Sequence, residues 1–179
     1  MRCPDVPMED RQDGIDYRYW LHRDVSGDGD RKGLVFVMLN PSTADAVQDD
    51  PTIRRCIGYA RTWGYRDLTV VNLFAMRATA PASMKAAGPA AVGLYTPKIL
   101  RWARTAAKLL VVAWGNHGTH RQRSRIVLAQ WRPTSVMALG LTKSLQPLHP
   151  LRLSRELVPQ ELRIDRHGLV ICDPWMDWL

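Results

Sequence analysis

An α/β fold, three layers deep around a central, mainly parallel four-stranded sheet, is the fold class this sequence predicts, and three observations predict it. Apolar runs without alternation fall at 34–39, 68–74, 109–114 and 136–139, the pattern of strands buried on both faces. Stretches with apolar residues at helical spacing separate those runs, so strands and helices alternate as in doubly wound domains. The 179 residues are 46% apolar and include seven Trp, enough for one sizeable core.

Each element has a local reason. Residues 1–16 are polar and carry Pro4 and Pro7, which reads as a loose N-terminal arm, with 17–179 as a single α/β domain. Tyr17 to Arg23 alternates well enough for an outer strand. The cluster Ser26-Gly27-Asp28-Gly29-Asp30 would turn it as a hairpin into the run at Leu34. His22, among basic residues, reads as a surface histidine. The run from Leu34 stops at Asn40-Pro41-Ser42. Asp50 and Pro51 then read as N-cap and first residue of a helix, with Ile53, Cys56, Ile57, Ala60 and Trp63 on one face and Gly64 at its end. Leu68 to Phe74 is the second buried strand, interrupted near its carboxyl end by Asn72.

Pro81 to Ala91 is Ala-rich and broken at Gly88-Pro89, a short helix and a loop. Thr96-Pro97 opens a helix with Ile99, Leu100, Ala103 and Ala107 inward, ending near Lys108. Leu109 to Trp114 is the third strand, closed by Gly115-Asn116-His117-Gly118. A helix from about Thr119 to Trp131 carries Arg121, Arg123 and Arg125, and Val136 to Leu139 is the fourth strand. Beyond Gly140 the chain becomes a polar loop at 142–154, then a terminal hairpin at 164–171. The tail with Trp175 and Trp178 would cover an apolar edge.

Charge and cysteine usage narrow the function classes. The formal net charge is +8, which favours polyanionic partners and nucleic acid first among them. Three widely separated cysteines, Cys3, Cys56 and Cys172, form no C-x-x-C pair, so neither a disulfide framework nor a zinc or iron–sulfur centre is indicated. A reducing cytoplasm fits. No apolar h-region opens the chain and no run reaches membrane-spanning length, which argues against secretion and insertion.

Strands one, two and four deliver Asn40, Asn72 and the loop carrying His149 to one edge of a parallel sheet, the edge where ligands bind. Two amides and a histidine lack the serine or cysteine of a nucleophilic triad. They can read a heterocycle, because an amide presents both donor and acceptor to a nucleobase edge.

The order and spacing of these segments resemble the uracil-DNA glycosylase superfamily. Its first motif, an Asn or Asp before Pro after strand one, corresponds to Leu39-Asn40-Pro41-Ser42. Its mid-strand Asn corresponds to Val70-Val71-Asn72-Leu73, its Trp-Gly pair to Trp114-Gly115, and its H-P-x-x-L-S motif to His149 through Ser154. The chain also resembles a bacterial family of domains of unknown function that carries the words LNPSTAD (39–45 here) and DDPTIRRC (49–56 here). The superfamily resemblance spans about residues 34 to 155 and implies a uracil-DNA glycosylase-like fold.

Carried onto this chain, the resemblance implies that Asn40 orients the attacking water, Asn72 with Ser42 and Pro41 holds the base, and His149 donates to the departing base. It makes Leu153 the wedge that fills the stack, with Lys143, Ser144, Arg152 and Ser154 on phosphates. Departures accompany the match. Met38 replaces a glycine, and Ser42 stands where some members place a tyrosine, which leaves room for thymine-like or enlarged bases. No Phe follows the first motif to stack on the base, leaving Trp114 or Tyr19 as substitutes. Asp45, Asp49 and Asp50 form an acidic patch, any of which could be the working carboxylate.

The expected function is a cytoplasmic, monomeric, metal-free and cofactor-free DNA glycosylase that hydrolyses the N-glycosidic bond of a flipped uracil or modified pyrimidine. Its partner is single- or double-stranded DNA, without membrane contact. The alternatives are a non-catalytic module that binds nucleobases or nucleic acid, and a hydrolase of free nucleotides in which Asp45 or Asp50 acts.

Overall fold

The computed structural model of the protein describes residues 4–25, 29–131 and 135–171. Part of the expected turn (26–28) and the tail with Trp175 and Trp178 lie outside the described residues. The strands are β1 (Glu9–Gln12), β2 (Ile15–Arg18), β3 (Trp20–Asp24), β4 (Leu34–Met38), β5 (Asp67–Asn72), β6 (Leu109–Val112), β7 (Met137–Ala138) and β8 (Gln160–Glu161). The helices are α1 (Pro51–Thr62), α2 (Pro81–Ala86), α3 (Thr96–Ala106) and α4 (Arg123–Trp131).

Six strands form one mixed sheet in the order β3-β5-β4-β6-β7-β8. The inner four run parallel, while β3 and β8 join antiparallel at the two edges. The expected sheet of four strands is thus corrected to six, because two edge strands close it. The expected hairpin from Tyr17–Arg23 into the Leu34 run is corrected too, since β3 pairs with β5, from Trp20↔Val71 to Asp24↔Asp67. The physical reason is burial: every residue of β4 is buried and needs a neighbour on each side, whereas β3 carries His22 and Asp24 and tolerates an edge. Residues 9–16, read as part of an arm, instead pair with their own continuation as the β1–β2 hairpin, Glu9↔Arg18 to Gln12↔Ile15.

Alternation along the inner strands sorts their side chains onto two faces. Val35, Val37, Val71, Leu110 and Val112 pack with Met84 of α2, Ile99, Leu100 and Ala103 of α3, and Val127, Leu128 and Trp131 of α4. Leu34, Phe36, Met38, Leu68, Val70, Val111 and Ala113 pack with Ile53, Cys56, Tyr59 and Ala60 of α1. Helices therefore cover both faces, with α1 the only helix on one of them among the described residues. The Cys56 thiol is fully buried in that layer, and burial pushes its pKa up. The side chain of Asp50 caps α1 by accepting the Ile53 amide at 2.8 Å, worth about 1 kcal/mol.

The helix expected from Thr119 is corrected as well. A 3-10 turn at Asn116–Gln122 breaks at His120 and Arg121, the latter with φ +51°, before α4 begins. Its start is pinned by packing: a Cβ on Gly118 would sit 2.1 Å from Cδ1 of Trp114, so the chain lies flat on that buried indole. No helix among the described residues is long and apolar enough to cross a membrane.

Candidate active site at the carboxyl edge of the sheet

The connections around β4 place a topological switch point at the carboxyl edge of the sheet. α1 links β4 to β5 over one face, and the segment holding α2 and α3 links β5 to β6 over the other. Since β5 and β6 flank β4 on opposite sides, the strand order reverses between the ends of β4 and β6. Such switch points leave an open crevice beyond the carboxyl ends of the strands, where ligands bind in open α/β sheets. Asn40 stands two residues past the end of β4. Gly115 stands past the end of β6, with the Cβ of His149 4.0 Å from where a Gly115 side chain would begin. The Gly115 amide donates to the Pro147 carbonyl at 2.8 Å, which draws the polar loop back over the sheet edge.

Asn72 lies opposite Met38 across the β4–β5 ladder. Alternation turns its side chain to the α1 face, with Val70 and Met38. It is 3% exposed and its Nδ2 meets no acceptor among the protein atoms. A buried donor without a partner costs about 1–3 kcal/mol, so a ligand carbonyl or a water oxygen would relieve a standing penalty there. β4 lies between β5 and β6, so the axes of those two strands stand about 10 Å apart, two strand spacings.

Asn40 is half-buried and its amide is already used. Nδ2 donates to the carbonyls of Pro41 at 2.9 Å and Ala78 at 2.8 Å, tying the first-motif loop to the loop after β5. Oδ1 is left to accept. His149, also half-buried, accepts the Leu151 amide on Nδ1 at 3.3 Å, so the neutral tautomer carries its proton on Nε2. Burial pushes this imidazole below its ordinary value, against the opposing pull of Asp50. Near neutral pH His149 is therefore an uncharged donor.

The three candidate carboxylates separate by their surroundings. Asp45 closes a turn by accepting the amides of Val47 and Gln48 at 2.8 and 2.7 Å; those same hydrogen bonds hold it below the ordinary carboxylate range. Asp49 pairs with Nε of Arg23 at 2.7 Å. Asp50 caps α1, and its charge reaches both His149 and Arg18.

Arg18 is the residue that sequence reasoning missed. It is 2% exposed at the end of β2. Nη1 donates to the Ala44 carbonyl, while Nε has no partner among the protein atoms. Burial first, then the neighbouring Arg77, lower its pKa to about 10, and Asp50 opposes them. The guanidinium remains a cation at neutral pH, with one buried N–H unspent. Arg77 donates to the same Ala44 carbonyl at 3.1 Å, and Arg23 to that of Asp45 at 2.5 Å, so three arginines fasten the 44–50 loop.

Other expected site residues scatter. Pro41 is buried, and Ser42 lines a recess of about 530 Å³ with Thr43, Arg77, Thr79 and Ser83. Lys143 and Ser144 are exposed at the tip of the 141–147 loop, and Arg152 and Ser154 are exposed after His149. Leu153, read as the wedge, is half-buried against the α1 layer, while Leu151 of the same loop is exposed, at 38%. Trp114 and Tyr19 are both buried in the core, so neither is available to stack on a base. Trp114 spends its indole N–H on Gln146 at 3.2 Å. Among the described residues no group of three or more His, Cys, Asp or Glu is placed to hold a metal ion.

A family model described as "Protein of unknown function (DUF1643)" matches residues 18–151. No curated protein and no solved structure matches the chain. The matched span begins at Arg18 and ends just past His149, and it holds Asn40, Asp50 and Asn72 between them.

Proposed function

The chain belongs to that family of unknown function, and we propose that it is a base-flipping N-glycosylase of the uracil-DNA glycosylase type, acting on uracil or a modified pyrimidine in DNA. The observation that carries this reading is the unspent buried donor of Asn72 at the carboxyl end of β5, the sheet edge to which Asn40 and the loop of His149 also belong. A pyrimidine carbonyl is the acceptor that fits such a donor.

The chemistry divides into two charges. As the N-glycosidic bond breaks, its electron pair leaves with the base and the sugar becomes oxocarbenium-like. In this reading Asn72, Nε2–H of His149 and the Arg18 cation would face the departing base, where negative charge grows, and preorganised donors of this kind commonly supply a few kcal/mol. Asp50 lies where a carboxylate would offset the positive sugar. Water held by Oδ1 of Asn40 adds to the anomeric carbon, and its proton ends on the departing base or on Asp50. Leu151, exposed two residues beyond His149, takes the wedge role in place of Leu153. Ser42 at its recess leaves space for a C5 substituent.

The test is base release. Purified protein incubated with DNA carrying uracil, thymine mismatches or enlarged pyrimidines should create alkali-labile abasic sites, and Asn40→Ala and His149→Ala should abolish them. Failure to release any base across a broad panel would overturn the reading. One observation favours a binding module without chemistry: both amide hydrogens of Asn40 are committed to backbone carbonyls. Tight binding without release, weakened by Asn72→Ala, identifies that case. Activity on mononucleotides but not polymers identifies a nucleotide hydrolase.

A further inference from the structure

The exposed face of α1 carries Arg54, Arg55 and Arg61, and the helix contains no acidic residue. The loop after His149 brings Arg155 to the same face. Together with Pro51, Gly58 and Leu151 these four arginines line a groove of about 440 Å³. A helix face kept only for solubility interleaves both signs at i, i+4 spacing, because like charges there repel. This groove has cations on both walls and no carboxylate in its lining.

Gly58 is the second observation. Glycine in a helix interior costs about 1 kcal/mol relative to alanine, and a buried neighbour usually explains it. Here a Cβ would meet nothing within 4 Å. The fold makes no use of the space above Gly58, yet that space is the floor of the arginine groove. A bare floor lets a ligand's backbone approach the helix between Arg54 and Arg61. Pro51 and Leu151 place one end of the groove beside Asp50 and His149. Its length along α1 from Pro51 to Arg61, ten rises of 1.5 Å, is about 15 Å, room for several consecutive phosphates.

We infer that this groove is a track for the phosphodiester backbone of the nucleic-acid strand whose target base enters the crevice. The inference rests on the glycosylase reading for the identity of that strand, and on the groove's own charge and floor for the contact. Arginines give it bidentate recognition of phosphate without base selectivity.

The experiment measures oligonucleotide affinity by fluorescence anisotropy at several salt concentrations, with base release followed in parallel. Arg54→Gln combined with Arg155→Gln should weaken binding at least tenfold. It should also flatten the slope of log K against log salt by about 1.4–1.8, the loss of two phosphate contacts on single-stranded or duplex DNA. Gly58→Ala should raise the melting temperature while lowering affinity severalfold, a combination that a merely structural glycine would not give. Unchanged affinity and slope in both variants would overturn the inference, as would a wild-type protein that binds no oligonucleotide. Base release by variants that bind like wild type leaves the glycosylase reading standing and this one fallen. Loss of binding in the variants, with no base release by wild type, does the reverse.

Discussion

The two ends of β5 both bury a polar side chain, and the fold treats them differently. At the amino end Asp67, 5% exposed, accepts the Gly33 amide at 2.6 Å and stitches the start of β4 to its neighbour. At the carboxyl end Asn72 is as deeply buried but keeps a donor with no protein partner. Native folds pair such groups almost everywhere, so a satisfied carboxylate and an unpaired amide donor on one strand distinguish an end completed by the fold from one that the protein atoms leave open. The same contrast holds around Arg18, whose Nη1 is committed to the Ala44 carbonyl while its Nε is idle.

The sharpest way to break this contrast is Asn72→Leu. Losing an orphan donor to an apolar group of similar shape should leave stability unchanged or slightly raised. Base release should nevertheless fall about 100- to 1000-fold, as for removal of one preorganised donor. A melting temperature that collapses instead would make Asn72 structural. Asp67→Ala is the mirror experiment: it strands the Gly33 amide and should cost about 2–3 kcal/mol in denaturant unfolding. Turnover per folded molecule should be untouched.

A smaller effect tests the start of α1. Asp50→Ala removes the N-cap and should cost about 1 kcal/mol, whereas Asp50→Asn keeps the cap. If the carboxylate charge serves the site, Asp50→Asn loses turnover at wild-type stability; equal loss of neither or both properties contradicts that assignment. The smallest expected effect is in pH. The folded-state value of His149 lies below its ordinary 6.5, so the unfolded chain takes up this proton first. Stability from this site is therefore lost as pH falls through about 6.5 toward the folded value. Melting curves from pH 8 to 5 should show a shallower acid decline in His149→Gln than in wild type.

Much of the inner sheet could be read from the residues, because β4, β5 and β6 are apolar on both faces and leave few alternatives to burial between helices. Asp50-Pro51 at the start of α1 was equally plain, since capping is local chemistry. The edges were not. β8 is two exposed residues, Gln160 and Glu161, with no periodicity to detect, and the choice of β5 by β3 is a non-local decision. The break at His120 and Arg121 hides inside a run that continues to look helical.

For the site, Asn40, Asn72 and His149 stood out as polar groups ending or following apolar strands. Arg18 gave no signal, because an arginine between Tyr17 and Tyr19 on an alternating strand looks like its solvent face. Only the folding of the 44–50 loop across it creates the burial. Likewise Leu151 and Leu153 are equivalent by composition, and only packing against α1 tells them apart.

Cys56, sealed beneath α1, turns that layer into its own reporter. A thiol held protonated and out of reach reacts with an alkylating agent only when α1 lifts from the sheet, so its labelling rate counts those openings. With Cys3 and Cys172 replaced by serine, any ligand that grips Asp50, His149 or the arginine track would slow the labelling by the factor its binding favours the closed state. Candidate nucleic acids and bases could thus be ranked by how long they keep one sulfur silent, before any reaction is known.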